Sequence, residues 1–217
     1  MAHQRNLAEE ALWLGELLMA LLPGEPEPMG LVALMNLHLA RAATRFDDTG
    51  RLVLLADQNR ALWDSDRIGM AIRMIEKAGS AHRPGPYQLE AAIQALHAEA
   101  PSLAATDWRQ IVVLYDMLLA IAPSPVVRMN RAVAIRFTEG PSAALAELDG
   151  LAGQLSGYHL FHSARARMLL DLGRSEQARA AETEALHRTW NPAERALIQE
   201  RLFNDGLVRT GRPNQEH

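Results

Sequence analysis

Apolar residues return every three or four positions along most of the chain, the period of a helix with one buried face. In the first such stretch, about residues 4–22, Leu7, Ala11, Leu14, Leu18 and Leu21 share a face, and Pro23-Gly24 stops it. Glu25-Pro26-Glu27 opens a second helix, its carboxylates suited to the positive end of the helix dipole. Leu31, Leu34, Met35 and His38 form its inward face, with Arg41 and Arg45 toward the C-terminal end. Asp64 is the N-cap of a third helix, with Ile68, Ala71, Ile72 and Ile75 inward, fading at Gly79-Ser80. The turn Arg83–Gln88 opens a fourth (Leu89, Ala92, Ile93, Leu96), stopped by Pro101. Thr106 or Asp107 caps a fifth, whose stripe is Trp108, Ile111, Leu114, Tyr115 and Leu118. A sixth runs over 126–137, a seventh starts at Gly140-Pro141, an eighth spans 158–172, and a ninth follows Gly173. A tenth starts at Asn191-Pro192, with Glu194 at capping-box spacing from Asn191. Every proline falls between helices, at a helix start or in the polar stretch 209–217, read as a disordered tail.

The pattern breaks once. Leu52–Leu55 is an unbroken apolar run, too short and irregular for an amphipathic helix, after the turn-like Asp47-Asp48-Thr49-Gly50. The polar group Asp57-Gln58-Asn59-Arg60 follows, ending on Trp63-Asp64. An extended piece near 50–58 lodged among helices must pack on them, and it would hold that polar group in one place.

The periodicity therefore predicts an all-α fold: a right-handed array of antiparallel helix pairs in one domain, 1–208, with N-terminal helices over 4–105 and repeat-like pairs over 106–208. Gly140 and Gly173 stand 33 residues apart, each ending one helix and opening another. Ala178 and Ala185 follow Gly173 at the offsets that place Leu145 and Ala152 after Gly140. That spacing is tetratricopeptide-like, and stacked pairs of this kind leave a concave surface for a protein or peptide.

Composition narrows the function. The 217 residues are 48% hydrophobic and 22% charged, as in an ordinary soluble domain. Aromatics at 5% favour helix over sheet. There is no cysteine, which removes thiolate nucleophiles, disulfides and zinc–thiolate or iron–sulfur sites. A net charge of −4 and a pI near 6.1 argue against direct nucleic-acid contact by this chain. No apolar run reaches the length of a membrane span, and the start carries no signal-peptide core, so a cytoplasmic location is expected.

Phosphate-loop, dinucleotide, nucleophile-elbow and zinc-protease motifs are absent. No catalytic residue, metal or cofactor is therefore expected. His159 and His162 could face one metal from a helix, but no carboxylate accompanies them. His38 reads as a neutral core histidine or a ligand group. Asp57, Asp64 and Asp66 could form a carboxylate cluster; in the simpler reading Asp64 caps a helix while Asp57 pairs with Arg60 or Arg67. Trp63, Trp108 and Tyr87 read as packing residues, with Trp63 an alternative partner anchor. The Arg83–Gln88 turn is either a stiff connection or a recognition loop.

Taken together the motifs resemble a family. Leu54-Leu55, then Asp57-Gln58-Asn59-Arg60, Trp63 and Asp64, resemble the "LL-x-(D/E)-Q-D-R-x-x-W-D" signature of extracytoplasmic-function (ECF) sigma factors carrying a long tetratricopeptide-like C-terminal extension. Leu34-Met35, His38 and Arg41 resemble that family's "LM-x-x-H-x-x-R" helix, and Arg83–Ile93 resembles "RPGPYQLQAAI". Thr106-Asp107-Trp108 with Leu114-Tyr115-Asp116, Pro123–Ala134 and Gly157–Leu160 match further family motifs in order, so the likeness covers about 7–203. Asn59 stands where the family usually has Asp. The chain looks like the isolated extension, without the promoter-reading and polymerase-binding helices that precede it in the family. The resemblance implies a non-enzymatic regulatory domain that contacts sigma-factor domains, RNA polymerase or another regulatory protein, with a homodimer also open. Asp57, Gln58, Arg60, Trp63, Asp64, Arg67, Arg83, Tyr87 and Gln88 are the candidate surface or its support. The alternative is a small-ligand sensor with a pocket lined by His38, Arg41, Trp63 and Tyr87.

Overall fold

A computed structural model describes residues 7–210, with side chains described through Phe203. These residues form eleven α-helices and two 3-10 turns, so the fold is all-α as the periodicity required. The helices group into two compact units, Met1–Phe46 with Val53–Pro123, and Asp47–Leu52 with Ser124–His217. The repeat-like pairs expected over 106–208 open with the fifth helix. It belongs to the first unit, because its apolar stripe packs on the preceding helix.

The first unit contains α1 (Leu7–Leu21), α2 (Glu27–Ala40), α3 (Ser65–Gly79), α4 (Pro86–Glu99) and α5 (Trp108–Ile121), with 3-10 turns at Ala42–Thr44 and Arg60–Leu62. Its hub is α2, which packs against α1, α3 and α4. A helix covered on several sides must be apolar nearly all round rather than on one stripe. Accordingly Val32, Ala33, Leu34, Asn36, Leu37 and Ala40 are all buried. The core joins Ala33, Leu34 and Leu37 to Ala71 of α3 and to Ala91 and Ala95 of α4, with Ile68, Ile72 and Ile75 packed beside them. Small residues set the spacing. A Cβ at Gly30 would lie 2.7 Å from the Gln88 main-chain nitrogen, so only glycine admits this approach of α2 to α4.

Two inward faces differ from expectation. On α1 the buried residues are Leu12 and Gly15, set against α2, while Leu7, Leu14, Leu18 and Leu21 are exposed. Leu12 and Gly15 lie roughly a third of a turn around the helix from the Leu14–Leu18–Leu21 stripe, by the 3.6-residue period. On α2, His38 is exposed although Leu34, one turn earlier on the same face, is buried.

The second unit contains α6 (Pro125–Thr138), α7 (Pro141–Asp149), the one-turn α8 (Ala152–Leu155), α9 (His159–Asp171), α10 (Ser175–Arg188) and α11 (Pro192–Thr210). Antiparallel neighbours pair as α6 with α7 and α9 with α10. Gly140 and Gly173 both adopt positive φ, 91° and 72°, so the repeat spacing marks the same backbone demand twice. Leu145, Ala178 and Ala185 are buried at their repeat offsets, but Ala152 is exposed. The match fails there because α7 ends at Asp149 and the chain turns into α8, which the periodicity had not resolved. Asn191 caps α11 through its Oδ1, which accepts from the Ala193 and Glu194 main-chain N–H groups at 3.0 and 3.4 Å. Glu194 does not complete a capping box. Its Oε2 accepts from the Thr189 hydroxyl instead. Helix α11 continues through Thr210, past the expected end at 208, and residues 4–6 and 211–217 lie outside those described.

Candidate functional site

The polar segment after α2 is held down from several directions. Trp63 is 6% exposed, and its indole N–H donates to the Thr44 hydroxyl at 3.0 Å. The Thr44 hydroxyl donates in turn to the Arg41 carbonyl at 3.0 Å. Gln58 is buried; its amide nitrogen donates to the Val53 carbonyl at 3.0 Å, and its Oε1 accepts from Arg41 Nε at 3.3 Å. Arg41 also donates to Gln94 Oε1 of α4 at 3.3 Å. Arg60 reaches the C-terminal end of α4, where its Nη1 donates to the His97 carbonyl and, at 2.9 Å, to the Ala100 carbonyl. Those carbonyls are the free acceptors that a helix end leaves, and they carry its negative dipole end. Both guanidinium groups lie over the Trp63 ring, Arg41 at 5.3 Å and Arg60 at 4.6 Å from the centroid, the geometry of cation–π attraction.

The end of the segment is anchored as well. The Asp64 N–H donates to the Ala40 carbonyl at 3.0 Å, and Asp64 Oδ1 caps α3 by accepting from the Arg67 N–H at 3.0 Å. The Arg67 side chain joins three helices: it donates to Glu9 of α1 at 3.1 Å and to Asn36 of α2 at 3.3 Å, and its Nε lies 3.4 Å from Asp64. Asp57 is exposed. The pairing expected for it with Arg60 or Arg67 does not form, because those side chains are taken by the α4 carbonyls and by Glu9. Asn59 caps the Arg60–Leu62 turn through its Oδ1, which accepts from the Ala61 N–H at 3.1 Å. An aspartate oxygen would accept that bond equally.

Electrostatics confirm an inward-facing group. Among the described residues neither Arg41 nor Arg60 makes an ion pair; carbonyl and amide dipoles and the indole face meet their charge. Burial first, then the Arg45 and Arg60 charges, bring Arg41 down to about 10, and burial lowers Arg60. His97 is buried with its ring edge-on to Trp108 at 5.1 Å. Burial and the Arg41 and Arg60 charges push its pKa down to about 4, so it is neutral near pH 7. His38, exposed, is lowered by desolvation and then by Arg41 and Arg45.

The Arg83–Gln88 turn is a second brace. The Glu27 carboxylate, at the start of α2, caps α4 from outside its own helix. It accepts from the Tyr87 N–H at 2.6 Å and from the Gln88 side-chain amide at 3.0 Å. Arg83 donates to the Gly24 carbonyl at 2.8 Å and to Glu25 at 3.2 Å. A Cβ at Gly85 would lie 2.0 Å from Glu27 Oε2, so this position stays bare for the carboxylate. Tyr87 is exposed at the start of α4, whereas Arg41 and Arg60 meet α4 farther along, at Gln94 and its C-terminal end. Seven residues of helix separate Tyr87 from Gln94, a rise of roughly 10 Å. The structure therefore does not bring Tyr87 to Trp63, and the arginines fill the space over the Trp63 ring.

An open groove of about 450 Å³ runs along the start of α3, lined by Asp64, Asp66, Arg67, Met70 and Arg73. Another, of about 470 Å³, lies between α6 and α7, where Arg128 and Arg131 face Glu147 at 3.4 and 3.7 Å. Neither is lined by His38, Trp63 or Tyr87. His159 Nε2 lies 2.9 Å from Glu194, while His162 Nε2 meets the Ser156 carbonyl at 2.7 Å, so the two rings take separate partners. Among the described residues no group of three or more His, Asp or Glu side chains is placed to hold a metal ion. No helix among them is long and apolar enough to cross a membrane.

Sequence reasoning passed over Glu9, Asn36, Thr44, Gln94 and His97. Gln94 and His97 carried a signal, as polar residues three apart on a helix otherwise rich in alanine.

Residues 1–79 match a family described as of unknown function (DUF6596). That span takes in α1 to α3 and the Glu9–Asn36–Asp64–Arg67 anchor. A relative from Rhizobium meliloti (strain 1021), "Uncharacterized protein R00370", is 48% identical over 197 residues, which is 91% of this chain and 47% of that protein. The chain thus spans about half the length of that curated relative. No solved structure matches.

Proposed function

We propose that this chain is a non-enzymatic regulatory and protein-interaction domain acting in the control of transcription initiation, alongside the promoter-binding and polymerase-binding domains of an ECF sigma factor. The observation that carries the reading is the disposition of its side chains. Arg41, Gln58, Arg60 and Trp63 of the motif are engaged with the chain's own carbonyls, side-chain amides, hydroxyl and indole, while large apolar side chains remain in water. Contiguous exposed apolar surface marks an interaction site, and an enzyme would instead turn its perturbed groups toward a cleft. The groups shifted most by burial here, Arg41, His97 and Tyr115, are packed within the helical framework. The ordered motif matches support the sigma-factor context. So does the 48%-identical relative, in which homologous sequence makes up about half of a longer protein.

The test is co-purification of the folded chain with the sigma-factor domains and, separately, with core RNA polymerase. Retention of either one is the expected result. Failure to retain both, together with a thermal shift on adding one member of a metabolite panel, would replace this reading with that of a ligand sensor.

A further inference from the structure

The brace over Trp63 gathers positive charge that the chain does not neutralise. Arg41 follows the end of α2 and Arg60 opens the second 3-10 turn, yet both guanidinium groups stand over one indole. His97 of α4 is near enough to both for their charges to act on it, and Arg45 adds a further cation beside Arg41. Among the described residues no carboxylate pairs with Arg41, Arg60 or His97; the groups that act on Arg41 and His97 are burial and other cations. Carbonyls, amides and the indole face solvate the two arginines, but dipoles carry no net charge, and two neighbouring cations still repel. Charges taken out of water are ordinarily paired.

Two buried atoms sharpen this. Arg60 Nη1 is engaged by the His97 and Ala100 carbonyls, but Nη2 of the same guanidinium is buried and has no hydrogen-bond partner among the described residues. His97 Nδ1 is in the same condition, on a side chain only 8% exposed. Buried polar atoms are nearly always satisfied, so each orphan calls for a partner. A spare N–H on a cation takes an acceptor, and an acceptor that is itself anionic forms the stronger bond and also removes the repulsion between the arginines.

We infer that Arg60, with Arg41 and His97, forms a binding site for a small inorganic anion beside the Trp63 ring. Burial sets the size. Neither open groove is lined by Arg41, Arg60 or His97, and the spare Arg60 nitrogen is out of solvent, which selects an ion of chloride or phosphate size over an organic acid. The inference goes beyond the regulatory reading and does not depend on it, because retention of sigma domains or polymerase is measured without reference to the anion.

The test is thermal unfolding of the whole chain at constant ionic strength. Sodium gluconate, whose anion is too large for the site, is replaced stepwise by sodium chloride and, in a second series, by sodium phosphate. One of the two should raise Tm by about 3–6 °C once it exceeds its dissociation constant about tenfold, and that series identifies the ion. The rise should vanish in Arg60→Gln and shrink in Arg41→Gln. It should persist in Arg83→Gln, whose side chain serves the other brace. A second readout needs no variant: a bound anion favours protonated His97, so its NMR titration midpoint should move up from about 4 as the ion is added.

No rise with either ion would overturn the inference. So would a rise of equal size in wild type, Arg60→Gln and Arg41→Gln, which is a general salt effect or an adventitious ion only. A His97 midpoint unmoved by an ion that raises Tm would place that ion elsewhere and overturn it too. If Arg60→Gln fails to fold, Arg41→Gln and the wild-type midpoint decide the matter.

Discussion

Two parts of the first unit exchange the roles that their sequences suggest. The segment from Gln58 to Asp64 is dense in polar and charged residues, yet it is an internal brace: Gln58 and Trp63 are buried, and Arg60 is fastened to the end of α4. Helix α1 is rich in leucine, yet it leaves Leu14, Leu18 and Leu21 in water. Polarity marks exposure only when the polar atoms lack partners inside. Arg41 and Arg60 find theirs in carbonyl oxygens, side-chain amides and an indole face. Apolarity marks burial only when a neighbour exists to cover it. Helix α1 has α2 on one side, and that contact takes Leu12 and Gly15.

The contrast can be broken by mutation, and the largest effect belongs to Trp63. It is nearly fully buried beneath two guanidinium groups, so Trp63→Ala should cost about 3–5 kcal/mol in chemical unfolding of the chain. A loss below about 1 kcal/mol would make the segment a surface feature after all.

Acid should act next. The folded chain holds His97 near a pKa of about 4, below the ordinary value of 6.5. Between those values the unfolded chain binds a proton that the folded chain refuses. The stability from keeping His97 neutral is present above about pH 6.5 and is lost as pH falls toward 4, by up to about 1.4 kcal/mol per pH unit. His97→Phe should flatten the slope of stability against pH in that window.

A smaller effect is expected at the α3 cap. Asp64→Ala removes the oxygen that accepts from the Arg67 N–H and should cost about 1 kcal/mol, while Asp64→Asn should restore most of it. Smallest of all, Leu18→Gln on the bare face of α1 should stay within about 0.5 kcal/mol of wild type.

Much of the architecture was legible from the chain alone. Prolines at the first turns of α4, α6, α7 and α11 mark real helix starts, and Asp64, Asp107 and Asn191 are real caps. The paired glycines at 140 and 173 supply the left-handed residues that two tight turns need. The direction of the apolar faces was less legible. Periodicity gives the stripe of α1 but not which neighbours surround it, and α2 is apolar on too many sides for any one stripe to stand out. The structure gathers Arg41, Gln58, Arg60 and Trp63 around one segment, but their partners could not be read from the sequence. Arg60 ends on the carbonyls of residues 37 and 40 positions away, and main-chain acceptors leave no mark in a sequence. The same holds for Glu27, whose acidic charge fits its own helix start but whose carboxylate caps α4 instead.

The central claim is that the charged motif holds the fold together while the leucine row of α1 does not. A side-by-side urea titration of Arg60→Ala and Leu18→Gln tests it most directly. Arg60→Ala removes charge-assisted bonds to two helix-end carbonyls and a cation–π contact, so its midpoint should fall by an amount equivalent to about 2–3 kcal/mol. The Leu18→Gln midpoint should coincide with that of wild type. A Leu18→Gln chain that unfolds earlier than Arg60→Ala would contradict the account, making the α1 row core and the charged segment a free surface.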